Sequence, residues 1–372
     1  MTCGAVVVLV GGLVGTLLAP VPALATLPVA TMIVGVATGT IPASMIMQRV
    51  GRKAGFIGAA VTASAAAITA AFSIQQENFF LFCLSIGFIG AALAFAQQYR
   101  FAAVESVPAE DASRAISFML LGGVVAAILG PWMANAGKDW TGLPYQGSFL
   151  TLSLMALVPA FLLIFYTEHK LPAAVEVVPQ RTLKQIARNP GFIVAVLSGA
   201  VGYAVMSLIM TATPISMHHI DQHSFDDTTW VIQWHVVAMY LPSLVTGRLI
   251  KAWGVRWIML LGVMAMFGCI LFALSGHSIF NYWAALVLLG LGWNFLFVSG
   301  TTKLVLHYQP NERFKAQAVN DFCIFTCQAS ASLSAGWVLH RLSWELISVF
   351  SLPLLAVLIL AIGYDRMTNK AV

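Results

Sequence analysis

The chain has 372 residues, of which 59% are hydrophobic and 9% are charged, and its formal net charge is +5. Soluble globular domains carry charge on roughly a quarter of their residues, so this composition excludes an ordinary soluble enzyme or binding domain. Apolar stretches that can cross a membrane core as helices of roughly 20 residues recur along the whole chain. The sequence therefore predicts an all-α integral membrane protein.

Twelve membrane-spanning helices are predicted, in chain order, with short connections between most of them. They cover residues 4–19, 23–46, 54–75, 79–104, 113–136, 148–167, 190–214, 229–251, 256–275, 279–303, 313–338 and 343–364. The first stretch is short and begins almost at Met1, so helix 1 is expected to be truncated. The long polar interruption at 168–189 predicts a cytoplasmic linker between six-helix bundles at 1–167 and 190–372.

Basic side chains are concentrated in alternate connections and in the carboxyl-terminal tail. They are Arg49, Arg52, Lys53, Arg114, Lys170, Arg181, Lys184, Arg188, Arg248, Lys251, Arg256, Arg313, Lys315, Arg366 and Lys370, against Lys138 and Arg341 in the other connections. By the positive-inside rule the first set is cytoplasmic. We therefore expect a multi-pass protein of the plasma (inner) membrane with both termini in the cytoplasm. Its partner is then the lipid bilayer, and no nucleic acid is needed to explain the positive charge.

An internal repeat relates the two predicted bundles at a single spacing of 203 residues. The matches are Gly51 with Gly254, Lys53 with Arg256, Gly87 with Gly290, and Arg100 with Lys303. The same topological positions match in both halves, which predicts two pseudo-symmetric six-helix repeats.

Two pairs of soft metal ligands lie in consecutive predicted helices: Met206 and Met210 in helix 7, and His235 and Met239 in helix 8. Residues four apart share a helix face, so an antiparallel hairpin would place all four side chains around one point. Thioether and imidazole ligands together favour monovalent copper. The pattern predicts a copper site between helices 7 and 8, with plain packing or an organic-substrate pocket as the alternative.

The connection between these two helices is rich in histidine. Met217, His218, His219 and His223 form a candidate station for capturing a metal ion before it reaches the deeper site. Imidazole suits divalent copper or zinc. The alternative is an ordinary polar loop.

Ionisable residues at membrane depth are costly and invite a functional interpretation. Asp321 in helix 11 and Lys303 near the inner end of helix 10 are expected at comparable depth, where an ion pair between them would serve coupling or gating. Arg100 is the repeat partner of Lys303 in helix 4. For Lys303 and Arg100 the alternative is that the side chain extends to the cytoplasmic interface.

Twelve helices, a central linker, duplicated halves and the basic sequence from Ser44 to Lys53 resemble the major facilitator superfamily. The resemblance implies a major-facilitator-type twelve-helix bundle that transports a small solute by alternating access. In the family's usual pattern a glycine begins this loop and an aspartate precedes the first arginine, whereas this chain has Ser44 and Gln48.

Within the superfamily, the Met-x-x-x-Met and His-x-x-x-Met motifs resemble the CcoA-like copper importers, which supply copper for cytochrome oxidase assembly. The resemblance implies copper import across the plasma membrane through Met206, Met210, His235 and Met239. Copper is then the transported substrate and no cofactor is expected, while copper donor or acceptor proteins are candidate partners.

Other functions stay open beside copper import. The same branch includes riboflavin permeases, so a carrier of riboflavin or another small organic solute is the alternative, and it would depend on aromatic residues such as Trp234 and Trp293. A membrane copper sensor or assembly factor that does not transport is a third interpretation. No catalytic motif is visible in the sequence, so we expect no enzyme activity.

Overall fold

The structure is a computed structural model that describes residues 2–21, 24–25, 27–167, 181–341 and 343–370, and these residues form helices and turns without a strand. The helices are α1 (Thr2–Leu18), α2 (Leu27–Val50), α3 (Arg52–Gln75), α4 (Phe79–Gln97), α5 (Tyr99–Glu105), α6 (Ala112–Ala136), α7 (Gln146–Ile164), α8 (Leu183–Ile186), α9 (Pro190–Ile215), α10 (Phe225–Tyr240), α11 (Ser243–Trp253), α12 (Val255–Leu274), α13 (Ile279–Val305), α14 (Arg313–Arg341), α15 (Trp344–Val349) and α16 (Leu352–Lys370). The expected all-helical membrane fold is confirmed.

Each of the twelve predicted spans coincides with one helix or with two consecutive helices. Span 79–104 corresponds to α4 with α5, span 229–251 to α10 with α11, and span 343–364 to α15 with α16. Within the described residues, eight helical segments are long and apolar enough to cross a membrane on their own. The α10–α11 span is interrupted at Pro242, whose ring nitrogen has no hydrogen to donate to a continuing helix. Neither of these two helices alone has transmembrane length.

Side-chain caps set where several helices begin. Asn78 Oδ1 accepts a hydrogen bond from Leu81 N at 2.9 Å, and Ser278 caps α13 in the same way through Asn281 N. Asn189 caps α9 and is followed by Pro190, which is favoured in the first helical turn. Such caps satisfy amide groups that an apolar surrounding would leave without partners. They define the start of the helices that carry the candidate site.

The described chain groups into two compact units. Unit 1 contains Met1–Ala102, Val125–Ala173 and Gln317–Phe322, and unit 2 contains Ala103–Val124, Ala174–Ala316 and Cys323–Val372. This grouping does not follow the predicted linker boundary, because short segments of α5–α6 and α14 group with the opposite half of the sequence. The predicted division into bundles at 1–167 and 190–372 stays a prediction, and residues 168–180 of the linker lie outside the described residues.

In unit 1, α4 packs against α2 and α3, and α3 packs against α7. Glycine permits the close contact of α2 with α4, because a Cβ at Gly35 would lie 3.0 Å from Ala91 N. Buried Phe82 and Phe149 meet edge to face with ring centroids 5.3 Å apart. Small residues at helix contacts are how membrane helices gain packing energy without a hydrophobic driving force between them.

In unit 2, α13 is the central helix and packs against α9, α10 and α12. Its side chains at Leu286, Leu289, Trp293 and Leu296 are almost completely buried. A Cβ at Gly290 would lie 2.7 Å from the His235 carbonyl oxygen, so glycine is required where α10 crosses α13. The position of α10 on α13 therefore follows from the absence of a side chain at one residue.

The internal repeat is visible in the backbone. Gly51 between α2 and α3 has φ 87° and ψ 162°, and Gly254 between α11 and α12 has φ 87° and ψ 153°. Glycine adopts positive φ without the steric cost that a Cβ imposes. Two matched glycines in the same unusual conformation support the duplication inferred from the sequence.

We expect Gly290→Ala to destabilise the protein by about 1–3 kcal/mol, because the added methyl must displace backbone of α10. Gly58→Ala in α3 is the matched control, since a Cβ there would meet nothing within 4 Å, and it should be neutral or slightly stabilising. Thermal unfolding of the purified variants in detergent measures the difference. Equal melting temperatures for the two variants would contradict the close helix crossing.

Candidate functional site

His235 is buried on α10 and is oriented by α13. Its Nδ1 lies 2.8 Å from the backbone oxygen of Leu286. A carbonyl oxygen only accepts, so Nδ1–H is the donor, and in the neutral ring Nε2 carries the lone pair. Nε2 is buried and has no hydrogen-bond partner among the described residues. The imidazole is therefore held in one orientation and one tautomer.

The other three proposed copper ligands lie on α9 and α10. Met206 on α9 and Met239 on α10 are buried, whereas Met210 is half-buried. Among the described residues, α9 packs against α13 and α16, and α10 packs against α13. The four-residue copper site stays a prediction.

The histidine-rich connection begins in a π-helical turn at Ser216–Ile220. Met217 in this turn is fully buried, while the side chains of His218 and His219 lie outside the described part of the structure. His223 Nε2 lies 2.7 Å from the backbone oxygen of His277, so this nitrogen donates a hydrogen bond. Across the described residues, no group of three or more His, Cys, Asp or Glu side chains is placed to hold a metal ion. The metal-capture role stays a prediction.

A cluster of five aromatic rings lies in unit 2. Its members are Tyr203 of α9, Tyr240 of α10, Trp293 and Phe297 of α13, and Phe325 of α14, and we call it the aromatic cluster. Trp293 and Phe297 are stacked with centroids 5.1 Å apart and an interplanar angle of 14°. Tyr203 meets Trp293 edge to face at 5.2 Å. Four helices thus contribute flat surfaces to one location.

Trp293 is the centre of this cluster. It contacts Tyr203, Tyr240 and Phe297 and is 1% exposed. Its indole Nε1–H, which only donates, is buried without a hydrogen-bond partner among the described residues. The Tyr240 ring lies against Gly123 of α6, where a Cβ would come 2.5 Å from Cε1. The cluster therefore combines apolar ring faces with one unused donor.

Trp234, the other tryptophan proposed for an organic solute, lies elsewhere. It is 43% exposed and packs with Trp230 and Trp283 near the start of α10 and α13. Trp230 and Trp283 are stacked at 6.2 Å. These rings form a separate group at the ends of the helices, as interfacial tryptophans do. The structure brings Trp293 and not Trp234 into the aromatic cluster.

A second polar centre lies in unit 1 around Asp321. Arg100 donates to Asp321 Oδ1, Gln98 Nε2 donates to Oδ2 at 2.8 Å, and both members of the ion pair are 0% exposed. Arg52 donates to Gln317 at 2.8 Å and to Gln98 at 3.4 Å. The start of α14 is thereby tied to α3 and to the α4–α5 junction. We call these residues the Asp321 network.

The expected ion pair between Asp321 and Lys303 is wrong. Asp321 pairs with Arg100, while Lys303 Nζ lies 2.8 Å from Asp365 Oδ2 in unit 2. Equal depth does not decide which way a side chain points around its helix. Arg100 is also fully buried and does not extend to the interface. The coupling or gating role of Asp321, Lys303 and Arg100 stays a prediction.

Sequence reasoning missed several members of these centres. Asp365 lay just beyond the last predicted span, and Gln98 and Gln317 carry no charge that would single them out. Pairing each deep basic residue with every acidic residue of an apolar helix would have identified Asp365 for Lys303. Tyr203 and Phe325 had no signal, because aromatic residues are common in membrane helices.

Comparison with known proteins establishes the family. The Major Facilitator Superfamily sequence profile matches the chain twice, over residues 2–221 and residues 201–370. The chain belongs to the Major Facilitator Superfamily. Together with the helical fold, this makes it a multi-pass membrane transporter of that superfamily, and the resemblance seen in the sequence is confirmed at this level.

Among characterised relatives of this superfamily member, the riboflavin transporter RfnT of Brucella anthropi is 39% identical over 358 residues, or 95% of this chain and 89% of that protein. The uncharacterized MFS-type transporter YdeG of Bacillus subtilis is 28% identical and covers 96% of this chain and 87% of that protein. The named relative transports riboflavin and is not a CcoA-like copper importer. The superfamily is therefore confirmed, whereas the copper-importer branch is not.

Solved structures of the superfamily share the fold. The E. coli fucose:proton symporter FucP has a TM-score of 0.73 at 16% identity, with 98% of this chain and 96% of that chain covered. A bacterial homologue of the iron transporter ferroportin, in its outward-facing state, has a TM-score of 0.73 at 14% identity with the same coverage. At this identity the similarity describes the fold alone.

We expect Asp321→Asn to destabilise the protein by about 3–5 kcal/mol, because it leaves the Arg100 guanidinium buried without its counter-charge. Asp365→Asn is the matched control, since Lys303 and Asp365 keep 15% and 12% of their side-chain surface exposed to the surroundings. Asp365→Asn should destabilise the protein clearly less than Asp321→Asn. Thermal unfolding in detergent is the measurement. An equal fall in melting temperature in both variants would contradict the complete burial of the Asp321–Arg100 pair.

Proposed function

We propose that the chain imports riboflavin, or a closely related flat heteroaromatic solute, across the plasma membrane by alternating access. The observation that carries the proposal is the 39% identity with a riboflavin transporter over 95% of the chain. The positive-inside bias supports an orientation with both termini in the cytoplasm. Transport inward then begins on the face opposite the basic connections.

The aromatic cluster supports this choice of solute. A flavin presents a flat, polarisable ring system, and aromatic side chains bind such rings by offset stacking or edge contacts worth about 0.5–1.5 kcal/mol each. Trp293 and Phe297 lie in one stack, with Tyr203 and Tyr240 against its edges. We infer that a flavin ring enters beside Trp293 when the side chains of the aromatic cluster rearrange. The Trp293 Nε1–H, which has no partner among the described residues, then donates a hydrogen bond to a carbonyl oxygen or ring nitrogen of the flavin.

Copper import receives less support than the organic solute. The relative that has a named substrate is a riboflavin transporter. His235, the nitrogen ligand of the predicted copper site, already uses one ring nitrogen to bond Leu286, and α9 and α10 pack mainly against α13. A ligated histidine commonly bonds a carbonyl in this way, so the contact leaves metal binding chemically allowed. The identity with the riboflavin transporter supports the organic solute over copper.

Within this proposal, the Asp321 network acts as a gate. It joins the start of α14 to α3 and to the α4–α5 junction through a buried ion pair and amide hydrogen bonds. Separating a buried carboxylate from its arginine costs several kcal/mol unless water or new partners replace the contact. Such a network favours one conformational state and gives way only when substrate binding offsets the cost.

Uptake of radiolabelled riboflavin tests the proposal in riboflavin-auxotrophic cells that lack their own carrier. Cells expressing the chain should accumulate riboflavin, and Trp293→Ala should reduce the initial rate at least about tenfold, which is the effect of losing about 1.4 kcal/mol. Trp257→Ala is the control, because Trp257 is 61% exposed on α12. Membrane abundance of each variant is measured by immunoblot. Copper uptake is recorded in parallel, with Met206→Ala as the variant that removes a proposed copper ligand.

Riboflavin accumulation that Trp293→Ala lowers at equal protein abundance supports both solute and site. Copper accumulation that Met206→Ala abolishes, without any riboflavin uptake, overturns the proposal in favour of the copper carrier. Riboflavin uptake that is indifferent to Trp293 refutes the aromatic cluster as its site.

Gly123→Ala provides a second test that leaves every ring in place. The added methyl must push the Tyr240 ring, because its Cβ would lie 2.5 Å from Cε1. We expect a higher KM for riboflavin, whereas Gly122→Ala, where a Cβ meets nothing within 4 Å, should leave KM unchanged. Concentration-dependent uptake rates separate the two variants, and identical KM values would exclude Tyr240 from the binding surface.

A further inference from the structure

His277 lies between two carboxylates on the face opposite the basic connections. Its Nδ1 is 2.7 Å from Asp221 Oδ2, and its Nε2 is 2.6 Å from Glu345 Oε1. The three residues come from different parts of unit 2: the end of the π-helical turn after α9, the α12–α13 connection, and α15. One imidazole ring therefore joins two segments that lie far apart in the sequence.

The hydrogen-bond geometry determines the protonation state of the ring. An ionised carboxylate oxygen only accepts, so each ring nitrogen that bonds one must carry a hydrogen. Both nitrogens of His277 are in this position, which requires the imidazolium form. The hydrogen bonds to Asp221 and then Glu345 accordingly raise the pKa of His277 above 6.5.

The surrounding groups hold Asp221 in place. Tyr282 Oη donates to Asp221 Oδ2 at 2.5 Å, and the Ser216 and Tyr282 hydroxyls are 2.6 Å apart. His223 donates through Nε2 to the backbone oxygen of His277. Among the described residues, the titratable groups that face His277 are thus the carboxylates of Asp221 and Glu345, the Tyr282 phenol and the His223 ring. The two carboxylates alone bond the imidazole itself.

We propose that His277 is a proton-binding latch on the outer face of the carrier, which fastens the end of α9 to α15 when protonated and releases one of them when neutral. A neutral imidazole has one N–H and one lone pair, so it can donate to Asp221 or to Glu345 but not to both. The second carboxylate then faces a lone pair, and that contact becomes repulsive. Loss of one proton removes one of the two connections.

The latch acts on the helices that carry the aromatic cluster. Asp221 ends the π-helical turn that continues α9, which carries Tyr203, and Tyr282 lies on α13, which carries Trp293 and Phe297. Fastening the outer ends of these helices restrains the rings farther along them. The link from latch to transport rests on the proposed function, whereas the proton-binding property of His277 does not.

The first experiment measures the proton site without any solute. Thermal unfolding of the purified full chain is followed in detergent from pH 5.5 to pH 9, for the natural protein and for His277→Gln. Because the pKa of His277 is raised in the folded protein, its contribution is complete below pH 6.5 and is lost as pH rises through the folded-state pKa. We expect the Tm of the natural protein to fall by roughly 1–3 °C more than that of His277→Gln over this range.

His307 and Glu312 do not imitate this signal. The pKa of His307 is lowered, chiefly by burial, so its contribution is lost as pH falls and has the opposite sign. The pKa of Glu312 is lowered to about 2 by Arg181, so its change falls below pH 4.5. His307→Gln is therefore the matched control variant. Equal pH dependence in the natural protein and in His277→Gln overturns the latch.

The second experiment tests whether the latch affects transport. Initial riboflavin uptake is measured at external pH 5.5 to 8.5 with internal pH clamped, and we expect at least a threefold change across this range that His277→Gln abolishes while keeping uptake itself. Glu345→Gln, which removes one carboxylate and keeps a hydrogen-bonding side chain, should also flatten the profile. A profile unchanged by both variants overturns the link to transport. Absence of riboflavin uptake by the natural protein refutes the proposed function and leaves the stability result to decide the proton site.

Discussion

The buried pair of Asp321 and Arg100 is the constraint on which unit 1 depends. Both side chains are completely buried, so the surroundings supply no water to stabilise either charge. The protein must provide every partner, and it does so with the amides of Gln98 and Asn320 on the same carboxylate. Arg52 extends the set through Gln317. The residues at the start of α14 are thus fixed to unit 1 by charge and hydrogen bonding, with apolar packing around them.

The loop after α2 departs from the superfamily pattern that it resembles. The superfamily pattern that the loop resembles has an aspartate where this chain has Gln48, so the loop lacks its usual acidic residue. The buried arginines nevertheless need a negative charge, and Asp321 on α14 is the carboxylate that Arg100 contacts.

The sequence predicted the helices well and their neighbours poorly. Each of the twelve apolar stretches coincides with one or two helices, and eight segments of the described chain have the apolar length that crossing a hydrocarbon core demands. Gly51 and Gly254 were matched correctly, since a sharp turn needs positive φ and leaves a visible residue type. Lys303 was assigned to Asp321 and pairs with Asp365, because depth along a helix is readable from the chain whereas direction around it depends on contacts with distant residues.

The soft-ligand motif is defined by residue spacing alone, and spacing does not specify which helices pack together. Met206 and Met210 are four residues apart on α9, and so are His235 and Met239 on α10. Both helices also pack on α13. That helix approaches α10 because Gly290 has no side chain, and it directs Trp293 and Phe297 toward Tyr203 on α9. One glycine and two aromatic residues on α13 thus bring ring faces together in unit 2. In the function proposed above, this packing supplies the ring faces for a flat organic solute, while His235 bonds the Leu286 carbonyl of α13.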